Sequence, residues 1–262
     1  MNSLTTFYDF VSRKAEWTHY PFDLLCRNGL SMKIGNVHRV KFDWRFYGYR
    51  NFGNNHNSLW QRCIDCCKGK KIFVDMGAHI GLYTIPAAMA MKKSGIVVAF
   101  EPGQKNFHFL LKHIEYNKII NIQAYDYLIG DINAEVEFWE DLDRPNAMNA
   151  KIIYKKPERF FKVIKKQVIF DDFCQKHRIE PDIIKIDVEG GELSVFKGSE
   201  KTIRLVRPVI FLSVHPGRME HIGDSVEELN ELIDFIGYNV FDASMRPVNE
   251  LKFGEYILLS RN

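Results

Sequence analysis

Val74-Asp75-Met76-Gly77-Ala78-His79-Ile80-Gly81, followed by Val97-Val98-Ala99-Phe100-Glu101-Pro102, is the stretch that decides the fold of this 262-residue chain. The run Lys71-Ile72-Phe73-Val74-Asp75 is short, apolar and closed by an acid, which reads as a buried strand entering a glycine turn. Gly77 and Gly81 let a ligand approach the backbone there, and a helix over 81–92 offers its N-terminus. Pro86 is acceptable in that helix because the first turn does not need its N–H. A second strand, Ile96 to Glu101, brings an acid about 20 residues beyond the turn, where a carboxylate accepts both hydroxyls of a ribose. The pattern is therefore a nucleoside site. A dinucleotide fingerprint would read G-x-G-x-x-G, whereas only G-x-x-x-G is present. Asp75 would also repel a pyrophosphate and suits a ligand with a positive charge. Both facts favour S-adenosylmethionine over NAD.

Working outward, strand and helix keep alternating. A helix over 103–117 carries Phe107, Leu110, Leu111 and Ile114 on one face. A third strand spans 121–129, and a hairpin-like excursion with alternating Val136 and Phe138 occupies 135–170. It includes the basic residues Lys155, Lys156, Arg159, Lys162, Lys165 and Lys166. Asp182 to Asp187 is a further strand ending in acid, and Gly190 and Gly191 open a helix to about 204. Pro208–Val214, a helix Ser225–Ile236, and two strands, Tyr238–Asp242 and Glu255–Ser260, complete the series. Such alternation predicts an α/β fold: a mostly parallel seven-stranded sheet, helices on both faces, and ligands at the carboxyl ends of the strands. The two closing strands are too near for a helical crossover, so the last is expected to be antiparallel.

These residues resemble the FkbM-type methyltransferases. The family pattern V-D-x-G-A-N-x-G, F-E-P and I-K-I-D-V-E-G-x-E is met by Val74 to Gly81, Phe100 to Pro102 and Ile184 to Glu192, and Phe170-Asp171-Asp172-Phe173 is similar to its Leu-Asp-Asp-Leu segment. The resemblance covers about residues 71–215. It implies a class I (Rossmann-like) methyltransferase fold, S-adenosylmethionine as cofactor, and O-methylation of a hydroxyl, often on a sugar or natural product. The cofactor would be held by Asp75, Gly77, His79, Gly81, Tyr83, Glu101, Pro102 and Asp187. His79 stands where the family usually has Asn, and an imidazole can still donate a hydrogen bond there. Ser213-Val214-His215 keeps the family's His but not the acid two residues before it.

Methyl transfer to a hydroxyl needs a base near the acceptor oxygen. His215, after the fifth strand of the alternating series, has a suitable pKa range, and Asp187 and Glu189 after the fourth are its rivals. The same three side chains would suit Mg²⁺ or Mn²⁺. Lys185 and Asp187 alternate onto one face of a strand otherwise buried, where an internal ion pair is the structural alternative. Glu192 reads as an acid favoured by the first turn of its helix.

The chain carries 36 Lys and Arg against 33 Asp and Glu, a net charge of +3, too slight to argue for nucleic acid. Its distribution is uneven: residues 1–71 hold twelve basic and five acidic side chains, and 13 of the 35 aromatic residues lie within 1–60, among them Trp17, Phe42, Trp44, Phe46, Tyr47, Tyr49, Phe52 and Trp60. Residues 1–70 are therefore expected to form a basic, aromatic extension on the substrate side of a methyltransferase domain over 71–262. Arg39, Arg45 or Arg50 would meet a phosphate or carboxylate of a small-molecule or glycan acceptor such as a nucleotide sugar, the alternative being a layer packed on the sheet. No run approaches the roughly 18 apolar residues of a membrane span. The first 25 residues carry Asp9, Arg13, Lys14, Glu16 and Asp23 instead of an apolar signal core, which reads as cytoplasmic. Cys63, Cys66 and Cys67 fall in step with Leu59 on a helix over 58–68 and read as packing, without the second ligand pair a zinc site needs. A nucleic-acid methyltransferase and a non-catalytic nucleoside-binding domain are the competing functions. Acids in Asp187-Val188-Glu189-Gly190, where base-methylating enzymes commonly carry an Asn/Asp-Pro-Pro-aromatic turn, disfavour a polyanion.

Overall fold

The computed structural model describes residues 27–34, 38–51, 59–140 and 160–261. Trp17, Phe52, the charged residues of the first 25, and Lys155, Lys156 and Arg159 lie outside the described residues. Strands β1 (Leu30–Ile34) and β2 (His38–Phe42) form an antiparallel pair, followed by a 3-10 segment over Trp44–Asn51 and helix α1 (Trp60–Cys66). The central sheet begins with β3 (Ile72–Met76), α2 (Thr84–Met91), β4 (Ile96–Phe100), α3 (Gln104–Tyr116) and β5 (Ile122–Tyr125). A separate three-stranded sheet holds β6 (Leu128–Gly130), β7 (Ala134–Glu140) and β8 (Phe161–Ile169). Then follow α4 (Phe170–His177), β9 (Ile183–Ile186), α5 (Glu192–Val206), β10 (Val209–Val214), α6 (Pro216–Met219), α7 (Val226–Phe235), β11 (Tyr238–Phe241) and β12 (Gly254–Ser260).

The central sheet has seven strands in the order β11-β12-β10-β9-β3-β4-β5. Strands β10, β9, β3, β4 and β5 are parallel, and β12 runs antiparallel to both β10 and β11, as the short final connection requires. β9 is buried along its whole length, and β3 and β4 beyond their first residues, which is why their sequences are apolar runs and not alternations. One face of the sheet packs on α4, α5 and α7 through Phe170, Phe196 and Leu229. The other packs on α1, α2 and the N-terminal layer through Trp60, Ile85, Phe42 and Phe46.

Three elements depart from the sequence reading. The third strand splits: β5 stays in the central sheet, while β6 leaves it to pair with β8 and lies against α5 so closely that a Cβ on Gly198 would sit 1.9 Å from the Gly130 carbonyl oxygen. The helix expected from residue 81 starts at Thr84, because His79 and Gly81 take positive φ values of 52° and 95° and interrupt helical geometry. The apolar face of α3 is also displaced. Leu111 is exposed, whereas Asn106, Phe109, Leu110 and His113 are buried. The N-terminal layer covers this helix on its outer side, with Phe46 4.8 Å from Phe109 and Phe42 4.5 Å from His113 between ring centroids.

Most described aromatics of the extension are thus core. Phe42, Trp44, Phe46 and Trp60 are buried, and the Trp60 indole N–H donates to the Leu82 carbonyl. Arg45 is bound to Asp43 at 2.6 Å, and Arg50 lies over the Tyr47 ring, so both guanidinium groups serve the layer itself. Cys63 and Cys67 are core residues with free thiols, as packing predicts, and burial pushes the Cys63 thiol up. In the excursion, β7 and β8 pair antiparallel, with Lys162 bound to Glu137 and Lys165 to Glu140. Among the described residues no helix is long and apolar enough to cross a membrane.

Candidate functional site

Parallel strands end in register here, and backbone hydrogen bonds extend that register past the strand ends. The N–H groups of Gly77 and Ala78 both donate to the Phe100 carbonyl at 2.9 Å, Glu101 N–H donates to Tyr125, and Asp187 N–H donates to Met76. The loops after β3, β4 and β9 are therefore held side by side. Gly77 is indispensable to this arrangement, since its φ is +82° and a Cβ would lie 1.9 Å from the Asp187 carbonyl oxygen. The close approach that requires glycine is thus made by the neighbouring strand end. Gly81 likewise packs against Leu110 and Ile85 and does not line the cavity.

A cavity of ≈ 300 Å³ opens over these loops. The residues singled out in the sequence that line it include Gly77, His79, Tyr83, Glu101, Pro102, Lys185, Asp187, Glu189, Gly190 and Gly191. Glu101 is nearly buried, and its two carboxylate oxygens accept the N–H groups of His79 and Gly103, each at 2.8 Å. Burial nevertheless pushes its pKa up to about 7, against the lowering effect of those N–H groups. His79 reaches Glu101 through a left-handed backbone, a conformation for which Asn, Asp and His are the favoured non-glycine residues, so His replaces Asn here without changing the turn.

Asp75 is placed differently from the expectation. It is fully buried beneath the cavity and not in its wall. Its carboxylate accepts the Thr84 hydroxyl at 2.6 Å and meets Lys185 Nζ at 3.3 Å. The positive charge that the sequence reading assigned to a ligand is supplied by Lys185, which also donates to the Gly77 carbonyl at 2.8 Å and lies 3.5 Å from Asp187. Burial alone would lower the Lys185 pKa; Asp75 and Asp187 outweigh it and hold the ammonium raised. The internal ion pair expected of Lys185 and Asp187 is present, and the closer pair with Asp75 ties β3 to β9 under the glycine turn.

His215 follows β10 and brings together the acids expected beside it. Its Nε2 lies 3.4 Å from Glu189 Oε2 and 3.8 Å from Asp187 Oδ1, and its Nδ1 lies 2.7 Å from Glu192 Oε1. His215 itself does not line the cavity; Asp187 and Glu189 stand between. Donor atoms of Asp187, Glu189 and His215 lie within 4.8 Å of one another, a spacing that suits a cation. Two cationic side chains already meet these acids, Lys185 at Asp187 and Arg218 at Glu189 (3.0 Å). Glu255 on β12 completes the group, with burial first and Asp187 second pushing its pKa up to about 7.

Sequence reasoning missed Asn106, Tyr127, Phe138 and Arg218 in the cavity wall, and Glu255 beside His215. Tyr49 is the one residue of the extension in that wall among the described residues. Arg218 carried a weak signal, being three residues after His215 in a turn opened by Pro216; Phe138 carried none, since its position depends on how the small sheet packs.

With this geometry in place, comparison with known proteins gives a consistent result. The family model described as the methyltransferase FkbM domain matches residues 75–240. Among solved structures, the chain is similar to a methyltransferase FkbM from Methylobacillus flagellatus KT, with TM-score 0.48 and 18% identity, covering 72% of this chain and 43% of that one. The chain thus matches less than half the length of that protein. A putative rRNA-methylase from Clostridium thermocellum matches with TM-score 0.47 and 11% identity over 77% of this chain and 93% of that one. M. jannaschii TYW2 in complex with AdoMet matches with TM-score 0.41 and 18% identity over 88% and 86%. No curated protein matches the sequence.

Proposed function

The chain belongs to the FkbM methyltransferase family, S-adenosylmethionine-dependent enzymes of the class I fold, and from that premise we propose that it methylates a hydroxyl of a sugar, glycan or natural-product small molecule. The observation that carries the cofactor assignment is Glu101: a carboxylate fixed by two backbone N–H groups at the end of the second parallel strand, in the wall of a cavity of ligand size. Its free lone pairs suit the ribose hydroxyls. Tyr127, Phe138 and Ile129 supply an apolar wall for an adenine, and the Gly77–His79 turn, Tyr83 and Asp187 suit the methionine end. The bound cofactor supplies a methyl group on a sulfonium whose departure leaves a neutral thioether, so the acceptor oxygen must shed one proton for charge to balance.

His215 is the residue that takes that proton in this reading, through Glu189, a cavity-wall carboxylate whose Oε2 lies 3.4 Å from its Nε2. Its Nε2 faces Asp187 and Glu189, which position the acceptor hydroxyl by accepting hydrogen bonds from neighbouring hydroxyl groups. The acidic surroundings favour a neutral or locally cationic acceptor over a polyanion such as RNA. Lys185, shared with Asp75, and Arg218 offset part of the charge of Asp187 and Glu189, and in this reading the step proceeds without a divalent ion, so that turnover is expected to survive EDTA. Two measurements test the proposal. Calorimetry should show S-adenosylmethionine binding, and no binding at millimolar concentration would end the assignment. Mass spectrometry of cell-extract sugars, nucleotide sugars and lipids incubated with enzyme and cofactor should show a gain of one CH₂ on a hydroxyl-bearing compound.

A further inference from the structure

We propose that Glu192 is the positioning residue for His215: its buried carboxylate holds the Nδ1–H of the imidazole, leaving Nε2 as the nitrogen that accepts the acceptor's proton. The inference rests on the reading of His215 as the base and extends it to a residue outside the cavity wall.

Glu192 begins α5, where a carboxylate placed only to meet the helix dipole would remain in water. Instead it is completely buried. A carboxylate withdrawn from water needs partners, and the two that Oε1 has are specific: the Gly190 N–H at 3.1 Å and His215 Nδ1 at 2.7 Å. An ionised carboxylate accepts hydrogen bonds and donates none, so the proton in this contact belongs to Nδ1. The opposite nitrogen then points at Glu189 and Asp187, both in the cavity wall. The Phe253 ring lies edge-on to the imidazole, 5.8 Å between centroids. The strained backbone between the two acids is consistent with a placed group: Glu189 has φ 57° and Gly190 φ 111°, and a Cβ on Gly190 would lie 2.8 Å from the Arg218 side chain.

Every charged group facing His215 enters its titration. Glu192 on α5, Glu189 and Asp187 after β9, and Glu255 on β12 are acidic; Lys185 on β9 and Arg218 on α6 are bound to Asp187 and Glu189. Burial lowers the imidazole's pKa, and the carboxylates, Glu192 first, more than restore it, so His215 is raised above its ordinary value. The proton-accepting neutral form is therefore present above that raised value, and turnover should rise with pH through it. Glu192→Gln removes one charge, so that limb moves to lower pH. The new amide can donate its own N–H to Nδ1, moving the imidazole proton to Nε2 and removing the acceptor. Turnover should fall about a hundredfold or more, while S-adenosylmethionine affinity is retained because Glu192 does not line the cavity.

The test is ¹⁵N NMR of histidine-labelled full-length protein, with His215 assigned by His215→Gln. Wild type should show the neutral Nδ1–H tautomer and a midpoint above the ordinary histidine value. Glu192→Gln should lower the midpoint and shift the tautomer to Nε2–H, and Glu192→Asp should restore part of both. A neutral Nε2–H tautomer in wild type overturns the pairing even if no variant folds, and so does a midpoint unmoved in a folded Glu192→Gln. The base reading fails separately. If the spectra are as expected but His215→Gln releases S-adenosylhomocysteine at the wild-type rate with the small-molecule fraction of cell extract, the pairing stands and its catalytic consequence is overturned.

Discussion

His113 gives a measurable link between the N-terminal layer and the site. It is fully buried on α3, where Nε2 accepts the Asp43 N–H at 3.0 Å and Nδ1 donates to the Ile80 carbonyl at 2.8 Å. The first contact requires the neutral ring, since a protonated Nε2 cannot accept, and burial holds the pKa down to about 4. In the unfolded chain an imidazole takes its proton near pH 6.5. Between these values the unfolded state binds the extra proton, so stability is present above pH 6.5 and lost as pH falls toward 4. At ~1.4 kcal/mol per pH unit the loss is about 3 kcal/mol. Total stability does not isolate this effect, because Glu101 and Glu255, both raised to about 7, change stability in the opposite sense over part of the window. The difference between wild type and His113→Gln does. Near neutral pH the variant should be less stable by ~1–3 kcal/mol, the cost of leaving one buried partner unsatisfied. As pH falls the gap should close and then reverse, changing by about 3 kcal/mol in all, read from urea midpoints across the window. A gap that stays constant, or widens on acidification, would refute the neutral buried ring.

Glu101→Gln should weaken S-adenosylmethionine at least about tenfold, since hydrogen bonds to a charged group are the stronger kind. In wild type the affinity should rise with pH up to about 7 and then level, because ribose hydroxyls donate to the ionised carboxylate; calorimetry showing pH-independent affinity would contradict the ribose contact. Gly77→Ala places a Cβ against the Asp187 carbonyl and adds ~1–2 kcal/mol for the left-handed backbone. A lowered melting temperature and lost cofactor binding are expected, and a variant with wild-type values for both would remove the steric argument. Lys185→Met leaves Asp75 buried beside Thr84 without its cation and should cost ~3–5 kcal/mol, part of which Asp75→Asn restores in the same chain. Strict additivity of the two in a double-mutant cycle would show that the pair does not interact.

The parallel strands were legible because total burial writes itself as runs such as Ile72-Phe73-Val74 and Ile183-Ile184, and the turns because glycine marks where another backbone approaches. What glycine cannot state is which backbone. Gly77 pointed to a ligand in the sequence, yet its neighbour is Asp187, more than a hundred positions away, and only the β3–β9 register brings the two together. The same separation hid the partner of Asp75. Its acid was legible and its burial was consistent with the strand, but Lys185 becomes its counterion only across the sheet, so the charge it seeks was assigned to a ligand. The face of α3 was misjudged for a related reason. A helix on the outside of a parallel sheet has one buried stripe, but this one is also covered by Phe42 and Phe46, which bury His113 and Phe109 and leave Leu111 exposed.

Glu192 carries this argument into the chemistry. Its type, spacing and place at a helix start were all visible, and the dipole reading was sufficient for an exposed acid. Burial is what removes that sufficiency: once the carboxylate is out of water, its partners determine its role, and His215 is the partner that also faces the acids of the cavity wall. Lys185 beneath the turn and Glu192 behind the imidazole thus hold the two halves of the site, one fixing where the cofactor-side loops meet and the other fixing which imidazole nitrogen faces the acids of the cavity wall.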